Sequence, residues 1–426
     1  MVQATDRGLG EQVSRQVIVI GAGLAGLTAA RLLQRAGRRV RVLDARSQLG
    51  GRVRSVTQDG FTLDVGFQVL FTAYPAVPRN LDLTRLDLVS ILPAATIRDG
   101  RSSETVGRDP GSLVSTVRAS SFTWPDRVRV LRLAAALKGT PPAHLLLGDD
   151  EPTRVFLQRY GFSGGAIDRF FAPFFGGVFL KRDLSTSARL FRYYVRMLLD
   201  GSVALPRGGM GRITQQLAED VDAVLGVRVS RLIPREDGVT VETERETLEA
   251  ASVVVATDPP EITRLTGVAV PSEGVGSTYL YYASDTRLDK QVRLLLNAGQ
   301  GYINNALWLS NVNPLLAPSG QHLLSVTVLG AKGLNDALDR QVRLELATWY
   351  GEGVKQLRLL KIIALPFAQF AQPAGFSASL APSETPLRNV YLASEATSMS
   401  SIQGAMESGE RAAALILGRG VRARGA

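Results

Sequence analysis

Residues 16–37 read QVIVIGAGLAGLTAARLLQRAG and contain a strand pattern, a glycine-rich turn and a helix pattern in direct succession. Four β-formers, Val17 to Ile20, lead into the turn, and apolar residues at helical spacing follow it. Gly21 allows a tight turn, Gly23 lets the backbone approach a pyrophosphate, and Gly26 lets the helix pack closely on the strand. Because the glycines stand between a strand and a helix, they indicate a dinucleotide-binding βαβ unit more specifically than glycines alone.

The residues after the turn extend this prediction. The N–H groups at the start of the helix, at Leu24 and Ala25, would face the phosphates of the dinucleotide. A second strand pattern, residues 39–43, ends at Asp44, whose carboxylate would accept hydrogen bonds from a ribose 2′-hydroxyl and repel a 2′-phosphate. The motif therefore disfavours NADP and leaves FAD and NAD as alternatives.

The composition limits the chemistry that the side chains can carry. The chain has 426 residues, 45% of them hydrophobic and 21% charged, which is typical of a globular protein of about two domains. It has no cysteine, which excludes disulfides, thiolate metal sites and cysteine nucleophiles. His144 and His322 have neither metal-site nor triad spacing. We therefore expect a bound cofactor to carry the chemistry, without a metal.

The charge of the chain is strongly basic, with 49 Lys and Arg against 39 Asp and Glu, a net charge of +10. The arginines are scattered and no nucleic-acid-binding motif is visible, so we expect no nucleic-acid partner. No apolar run is long enough to span a bilayer, and neither residues 1–16 nor 418–426 read as a signal peptide or lipid anchor. We predict a cytoplasmic protein, with peripheral contact at the inner face of the membrane as an open alternative.

A second glycine-rich turn, Gly50-Gly51-Arg52, follows the strand that ends at Asp44. The segments VIVIGAGLAGLTAARLL, VLDAR, LGGRVRS and LDVGFQ together resemble the N-terminal FAD-binding pattern of the flavin amine oxidase and phytoene desaturase superfamily. The resemblance implies that Asp44, where the family usually has Glu, holds the adenosine ribose. It also implies that the turn lies against the pyrophosphate and the flavin. FAD is therefore favoured over NAD.

The C-terminal part of the chain resembles the other hallmark of this superfamily, a strand, an acid-containing turn and a helix of the form GAxxSGxxAA. By this resemblance Glu395 would hold the ribityl-phosphate side of FAD, and the helix start at Ile402 would direct its N–H groups at the flavin pyrimidine. Ser394 stands where the family commonly has glycine. The predicted cofactor residues are Gly21, Gly23, Leu24, Ala25, Gly26, Asp44, Ala45, Arg46, Gly50, Gly51, Arg52, Gly66, Phe67, Gln68, Val229, Glu395, Ile402, Gln403 and Ala405.

The resemblance implies an α/β fold, with a Rossmann-like FAD-binding domain of the glutathione-reductase type and an inserted α+β substrate domain. The FAD-binding domain is predicted from three segments, residues 1–73, 201–267 and 376–426. The substrate domain is predicted from two segments, residues 74–200 and 268–375. The domains are therefore both discontinuous in the sequence.

The patterns within these segments predict mostly helices in residues 74–200. They predict strands in series, forming an open antiparallel sheet, in residues 278–329, followed by a helix near residues 336–349. A basic amphipathic helix is predicted over residues 124–138; we expect its apolar face to pack on the protein, with a membrane interface as the alternative. The aromatic-rich residues 166–180 are expected chiefly in the core. In the FAD-binding part, a helix is predicted over residues 213–224.

The resemblance implies an FAD-dependent oxidoreductase that transfers hydride from a substrate C–H bond to flavin N5. The aromatic cluster and the basic helix favour the carotenoid desaturase and isomerase branch, with an apolar substrate. An amine oxidase or a protoporphyrinogen-oxidase-like enzyme is the alternative, and a flavin-binding regulatory protein without turnover is another. Lys290 and Lys332 lie in the sheet segment but match no motif, so we expect surface charges. Catalytic residues, electron acceptor and oligomeric state stay open.

Overall fold

A computed structural model of the chain describes residues 16–100, 102–109, 112–333 and 336–418. Residues 1–15 and 419–426, the ends in which the sequence predicts neither signal nor anchor, lie outside this range. The strands are β1 (Gln16–Ile20), β2 (Arg39–Asp44), β3 (Ser55–Gln58), β4 (Phe61–Asp64), β5 (Leu70–Phe71), β6 (Leu88–Ser90), β7 (Ala94–Asp99), β8 (Ser102–Gly107), β9 (Val203–Pro206), β10 (Asp222–Leu225), β11 (Val229–Pro234), β12 (Val239–Thr243), β13 (Thr247–Ala250), β14 (Ser252–Val255), β15 (Gly274–Ser284), β16 (Leu294–Asn297), β17 (Ile303–Trp308), β18 (His322–Leu329), β19 (Arg358–Phe370) and β20 (Val390–Leu392).

Helices connect and cover these strands. They are α1 (Leu24–Arg35), α2 (Val77–Asn80), α3 (Leu83–Leu86), α4 (Leu113–Arg118), α5 (Trp124–Lys138), α6 (Thr153–Tyr160), α7 (Gly164–Ala166), α8 (Ala172–Phe179), α9 (Ala188–Asp200), α10 (Gly211–Leu217), α11 (Pro259–Thr266), α12 (Leu309–Val312), α13 (Asp336–Tyr350) and α14 (Ile402–Ile416). A π-helical turn, Ile167–Phe171, joins α7 to α8. Among the described residues, none of the helices has the length and apolar character needed to cross a bilayer.

A five-stranded parallel sheet forms the centre of the first half of the fold, in the order β10-β2-β1-β14-β20. Because side chains alternate between the faces of a strand, Val17 and Val19 pack with α1 and α14 on one face. Ile18 and Ile20 pack on the other face with the antiparallel sheet β11-β12-β13 and with α11. A parallel sheet covered on both faces confirms the predicted Rossmann-like fold.

Glycine allows unusually close packing of the helices on this sheet. A Cβ atom on Gly26 would lie 2.0 Å from the carbonyl oxygen of Gly21, and one on Gly409 would lie 2.4 Å from the carbonyl oxygen of Ala25. Any side chain at these positions would push α1 away from β1 or from α14. Gly26 therefore has the packing role that the sequence predicts.

The prediction of a helix over residues 213–224 is wrong for the second half of that segment. Helix α10 ends at Leu217, Asp220 has a left-handed φ of 63°, and β10 follows as an edge strand of the parallel sheet. Strand β10 pairs in register with Arg41–Asp44 of β2. This pairing with a distant strand overrides the local helical pattern.

A seven-stranded sheet in the order β19-β15-β18-β17-β16-β7-β8 forms the centre of the second half. Its pairs are antiparallel, as predicted, except for the parallel pair β16 and β7. The prediction of little strand structure in residues 74–200 missed β7 and β8. Residues Ala95–Arg98 become a strand because they pair with β16, about two hundred residues away in the chain.

Helix α5 packs on the protein through only part of its apolar surface. It begins with a capping box in which the Thr123 hydroxyl accepts from the Asp126 N–H and the Asp126 carboxylate accepts from the Thr123 N–H. Leu133 and Leu137 are buried, whereas Leu131 is 71% exposed. The expectation that the apolar face packs on the protein is therefore met in part.

The aromatic residues of the π-helical turn and α8 lie in the core, as expected. Phe175 packs edge to face on Phe191 of α9 with ring centroids 4.7 Å apart, and Phe171 does so at 6.0 Å. Several of these rings also line the cavity described below.

We propose the predicted domain boundaries, since every strand of the parallel sheet comes from the three FAD segments and every strand of the seven-stranded sheet from the two substrate segments.

Candidate active site

A cavity of about 1220 Å³ runs between the two large sheets. Ile20 and Leu43, at the carboxyl ends of β1 and β2, line one part of it, and Tyr279 and Asn305 of the seven-stranded sheet line another. Ligands of open α/β sheets bind outside the carboxyl ends of the strands. The volume exceeds that of a usual single-ligand pocket and suits a dinucleotide together with a substrate.

All but three of the predicted cofactor residues line this cavity. They are Gly21, Gly23, Leu24, Ala25, Asp44, Ala45, Arg46, Gly50, Gly51, Arg52, Phe67, Gln68, Val229, Glu395, Ile402 and Ala405. They come from both ends and from the middle of the chain. The structure therefore brings together the motifs that the sequence separates by more than three hundred residues.

Gly26, Gly66 and Gln403 do not line the cavity. Gly26 packs α1 on β1, as described above. Gly66 has a φ of +103°, and a Cβ atom there would lie 3.3 Å from the Tyr279 ring. The Gln403 side chain is buried and accepts a hydrogen bond from the Ala76 N–H at 2.8 Å. These three residues support the cavity wall from behind.

The Asp44 carboxylate is held by two backbone N–H groups. Oδ2 accepts from the Ala22 N–H and Oδ1 from the Arg46 N–H, each at 2.7 Å. These bonds hold the carboxylate at the edge of the glycine-rich turn, where it lines the cavity. A carboxylate has lone pairs for about four hydrogen bonds, so Asp44 retains acceptors for a ribose.

An ion pair joins the second glycine-rich turn to the C-terminal motif. Arg52 Nη1 lies 2.7 Å from Glu395 Oε1, and Arg52 Nη2 lies 3.9 Å from Asp258 Oδ1. The Ser400 hydroxyl donates to Glu395 Oε2 at 2.6 Å. Burial alone would lower the pKa of Arg52, but Glu395 and Asp258 outweigh it and raise that pKa. Arg52 therefore stays charged beside the Glu395 side chain.

Helix α14 directs its N-terminus at the cavity, which Ile402 and Ala405 line. The Ser401 hydroxyl accepts from the Gly404 N–H at 2.9 Å and caps the helix. Ser394 is extended, with φ −138° and ψ 154°, so this position has no need of the family's glycine. The helix dipole would stabilise negative charge on a ligand at this end.

The residues at the parallel-sheet end fit a dinucleotide. A Cβ atom on Gly23 would have no protein atom within 4 Å, so the bare backbone leaves room for a ligand against the turn. Thr257 lines the same region, and its buried hydroxyl has no hydrogen-bond partner among the described residues, which a ligand would supply. Thr257 and Asp258 are not among the predicted cofactor residues, although residues 253–260 resemble the family's strand that ends against the cofactor before a proline turn.

The rest of the cavity is an apolar arm, which we define as its lining within residues 90–134, 170–180 and 194–203. Helices α5, α8 and α9 and strand β7 form its walls. Its side chains include Leu133, Phe170, Phe174, Val195 and Leu198. Among the described residues, its charged side chains are those of Arg108 and Arg127. The arm therefore suits a long apolar molecule.

The apolar arm opens to solvent beside α5. Trp124 and Leu131 line the cavity and are nevertheless 68% and 71% exposed, and Leu92 and Val117 combine lining and exposure in the same way. Exposed apolar side chains around an opening are unusual on a water-facing surface.

The lysines of the sheet segment lie elsewhere. Lys290 and Lys332 are exposed, and neither lines the cavity, as expected for surface charges.

Neither histidine lines the cavity. Within the described residues, no group of three or more His, Asp and Glu side chains could hold a metal ion.

Comparison with known proteins places most of the chain in one family. Residues 24–417 match the family described as flavin containing amine oxidoreductase. A phytoene dehydrogenase from Streptomyces griseus is 30% identical over 286 residues, which cover 59% of this chain and 56% of that protein. A putrescine oxidase from Kocuria rosea is 39% identical over 137 residues, which cover 31% of this chain and 27% of that protein. These alignments span about half and about a quarter of the relatives' lengths.

Solved structures share the fold over nearly the whole chain. An oxidoreductase from Methanosarcina mazei superposes with a TM-score of 0.73 at 18% identity, covering 93% of this chain and 99% of that one. At this identity the likeness shows the fold.

Proposed function

The chain belongs to the flavin containing amine oxidoreductase family, and on that premise we propose that it oxidises a C–H bond of a long apolar substrate. The match confirms the predicted superfamily. It also confirms that the protein is an oxidoreductase and that its cofactor is FAD. Within the family, we propose that the enzyme is most like the phytoene desaturase and carotenoid isomerase branch. The apolar arm is the observation that carries this choice.

The chain's residues would hold FAD along the cavity, and we propose the predicted cofactor residues in this role. The first turn and Asp44 would bind the adenosine end, and Val229, which lines the same part, would lie near the adenine. Arg52 and Glu395, joined as an ion pair, would position the middle of the cofactor. Gly26, Gly66 and Gln403 would act by supporting the wall.

FAD, when bound, supplies the acceptor for a hydride from the substrate. The N-terminus of α14 would stabilise negative charge at the cofactor's reactive end. Burial raises the pKa of Tyr194, which lines the cavity nearby, to about 12, so its hydroxyl keeps its proton at neutral pH. The apolar walls would exclude water and orient the substrate chain.

An amine oxidase is the second candidate, supported by the partial likeness to putrescine oxidase. An amine substrate is a cation and favours carboxylates near its binding position. In the described part of the apolar arm the charged side chains are arginines, which would repel a cation. We therefore rank amine oxidation below desaturation. The arginines do not count against a protoporphyrinogen-oxidase-like enzyme, whose substrate carries carboxylates, or against a regulatory protein without turnover, and the following experiment separates these alternatives.

Anaerobic bleaching of the flavin tests the proposal. Purified protein would be mixed without oxygen with apolar polyenes, porphyrinogens or amines, and the flavin absorbance followed. We expect bleaching by the polyenes and none by putrescine. Bleaching by amines alone would establish the amine oxidase, and a flavin that stays oxidised with every compound would support the regulatory protein.

We also propose that the enzyme is cytoplasmic and that it makes peripheral contact with an anionic membrane through the opening of the apolar arm. Residues 112–138 contain one acidic residue, Asp126, which is buried. The basic residues of this segment are Arg118, Arg127, Arg129, Arg132 and Lys138. Cations around exposed apolar side chains complement an anionic lipid surface, and an apolar substrate would enter from the bilayer.

Sedimentation with vesicles tests this contact. We expect the protein to bind anionic vesicles at low salt, to be released by high salt, and to bind weakly when Trp124 and Leu131 are both changed to Ser. Flavin content would show that the variant is folded. Equal binding to neutral and anionic vesicles, or no binding at low salt, would exclude the contact.

A further inference from the structure

Two arginines at the opening of the apolar arm, Arg108 and Arg127, have no carboxylate partner among the described residues. The Arg127 guanidinium lies over the Trp124 ring, 5.3 Å from its centroid, and Nη2 donates to the Ala119 carbonyl at 2.8 Å. Arg108 donates to the Leu198 carbonyl. Neither guanidinium lies within 4.0 Å of a carboxylate of a described residue. Both line the cavity.

Arg127 also leaves a donor unused. Its Nε atom is buried and has no hydrogen-bond partner in the described residues. Buried donors are rarely left without an acceptor, because the lost hydration is not replaced. Because Arg98, Arg189 and Arg293, which do not line the cavity, also have an unpartnered Nε among the described residues, it is the place of Arg127 in the cavity wall, beside Trp124, that favours an anionic ligand.

The opposite end of the same cavity shows that this arrangement is local. Arg52 lies 2.7 Å from Glu395, Arg228 lies 2.6 Å from Glu261, and Arg46 lies 3.7 Å from Asp258. Every one of these arginines lines the cavity, and every one has a carboxylate beside it. The two ends of this cavity therefore differ in how their lining arginines are paired, although arginines without a carboxylate partner also occur elsewhere in the described chain, such as Arg182 and Arg293.

We infer that the substrate of the apolar arm is an amphiphile, a long apolar chain with a carboxylate or phosphate at one end, which Arg108 and Arg127 bind. Guanidinium groups form paired hydrogen bonds with the oxygens of both anions. The charged end lies at the solvent opening, and the chain extends between the phenylalanine side chains towards the cofactor. This inference rests on the proposed function in taking the arm as the substrate site.

Binding of three matched amphiphiles tests the inference. Dodecanoate, dodecyl phosphate and dodecanol share one chain and differ in the end group. They would be titrated as monomers, without vesicles, into the FAD-loaded protein in the oxidised state, with flavin fluorescence and calorimetry as readouts. We expect at least one anion to bind about tenfold more tightly than dodecanol at low salt, as for hydrogen bonds to charged groups.

The double variant Arg108→Gln with Arg127→Gln provides the decisive comparison. We expect it to lose the preference for the anion while its affinity for dodecanol stays within about twofold, since the apolar walls are intact. The matched variant Arg108→Lys with Arg127→Lys keeps the charge, and we expect it to retain part of the preference. Flavin content and thermal unfolding would confirm that both variants fold.

Three outcomes would overturn the inference. One is equal binding of all three amphiphiles to the unaltered protein, and another is an anion preference that persists in the glutamine variant. The third is an effect of the arginines on binding to anionic vesicles but not on binding of monomers, which would assign them to lipid headgroups. Since no readout depends on turnover, an absence of flavin bleaching would count against the proposed function and leave this test valid.

Discussion

The two ends of the cavity are built in different ways. At the parallel-sheet end the backbone forms the walls, through Gly21 and Gly23, and the charges are paired, as in Arg52 and Glu395. The apolar arm is walled by side chains of helices and contains arginines without carboxylate partners. A ligand that is recognised by backbone turns leaves motifs in the sequence, whereas one that is recognised by packed side chains leaves little beyond composition.

Crowding the backbone at the parallel-sheet end should have the largest effect. A Cβ atom on Gly26 would meet the Gly21 carbonyl oxygen at 2.0 Å, so Gly26→Ala must displace α1. We expect a loss of about 3 kcal/mol or more in the free energy of unfolding, measured by denaturant titration of the protein without FAD.

Gly23→Ala is the matched control for this variant. Its Cβ atom would meet nothing within 4 Å in the protein, so the unfolding free energy without FAD should change by at most about 0.5 kcal/mol. FAD affinity, measured by flavin fluorescence, should nevertheless fall. If Gly23→Ala leaves FAD affinity unchanged, the turn does not face the cofactor.

The next largest effect is expected in the pH dependence of the unfolding free energy, through Asp64. This buried carboxyl group lies behind the wall of the parallel-sheet end of the cavity. Its Oδ1 accepts from the Ser55 hydroxyl at 2.6 Å and from the Met210 N–H at 2.9 Å, and burial raises the pKa of Asp64 to about 6. A raised pKa means that the folded protein binds the proton more tightly than the unfolded chain does. The stabilisation is therefore complete below the unfolded pKa, near 3.8, and is lost as pH rises through about 6.

Asp64→Asn isolates this contribution because asparagine keeps the accepting oxygen and does not titrate. Between pH 4 and pH 7, the unaltered protein should lose about 2 kcal/mol of unfolding free energy relative to the variant. Denaturant titrations of both proteins across this range measure the difference. Parallel stability profiles would contradict the raised pKa.

Asp44→Ala should have a smaller effect, confined mainly to cofactor binding. The variant removes the acceptors for a ribose, and we expect FAD affinity to fall by about 1–3 kcal/mol, measured by fluorescence titration. Asp44 also accepts from the Ala22 and Arg46 N–H groups, so a parallel measurement of unfolding is needed. FAD affinity that does not change would remove Asp44 from the site.

The smallest effect is expected outside both ends of the cavity. Lys290→Met and Lys332→Met alter exposed side chains that do not line the cavity, so the rate of anaerobic flavin reduction should stay within about twofold. A loss of more than about a hundredfold in either variant would indicate a lysine acting in catalysis and revive the amine oxidase alternative.

Much of the parallel-sheet end could be predicted because its physical requirements are local. Within the first turn, Gly21 has a φ of +109°, and a Cβ atom on Gly26 would lie 2.0 Å from the Gly21 carbonyl oxygen, so both positions need glycine for reasons inside the turn itself. The error at residues 222–225 and the missed strands β7 and β8 have the opposite cause. These segments have weak local patterns. Residues 222–225 and β7 become strands through pairing with β2 and β16, far away in sequence, and β8 then pairs with β7.

The sequence by itself determined the superfamily, the parallel-sheet fold, the FAD cofactor and most of the predicted residues that line its end of the cavity, because backbone turns and strand periodicity are encoded by neighbouring residues. Only the tertiary structure brought Arg52 to Glu395, showed an open apolar arm, and left Arg108 and Arg127 at its mouth. Those features depend on which distant side chains pack together, and burial and charge pairing are properties of the folded chain.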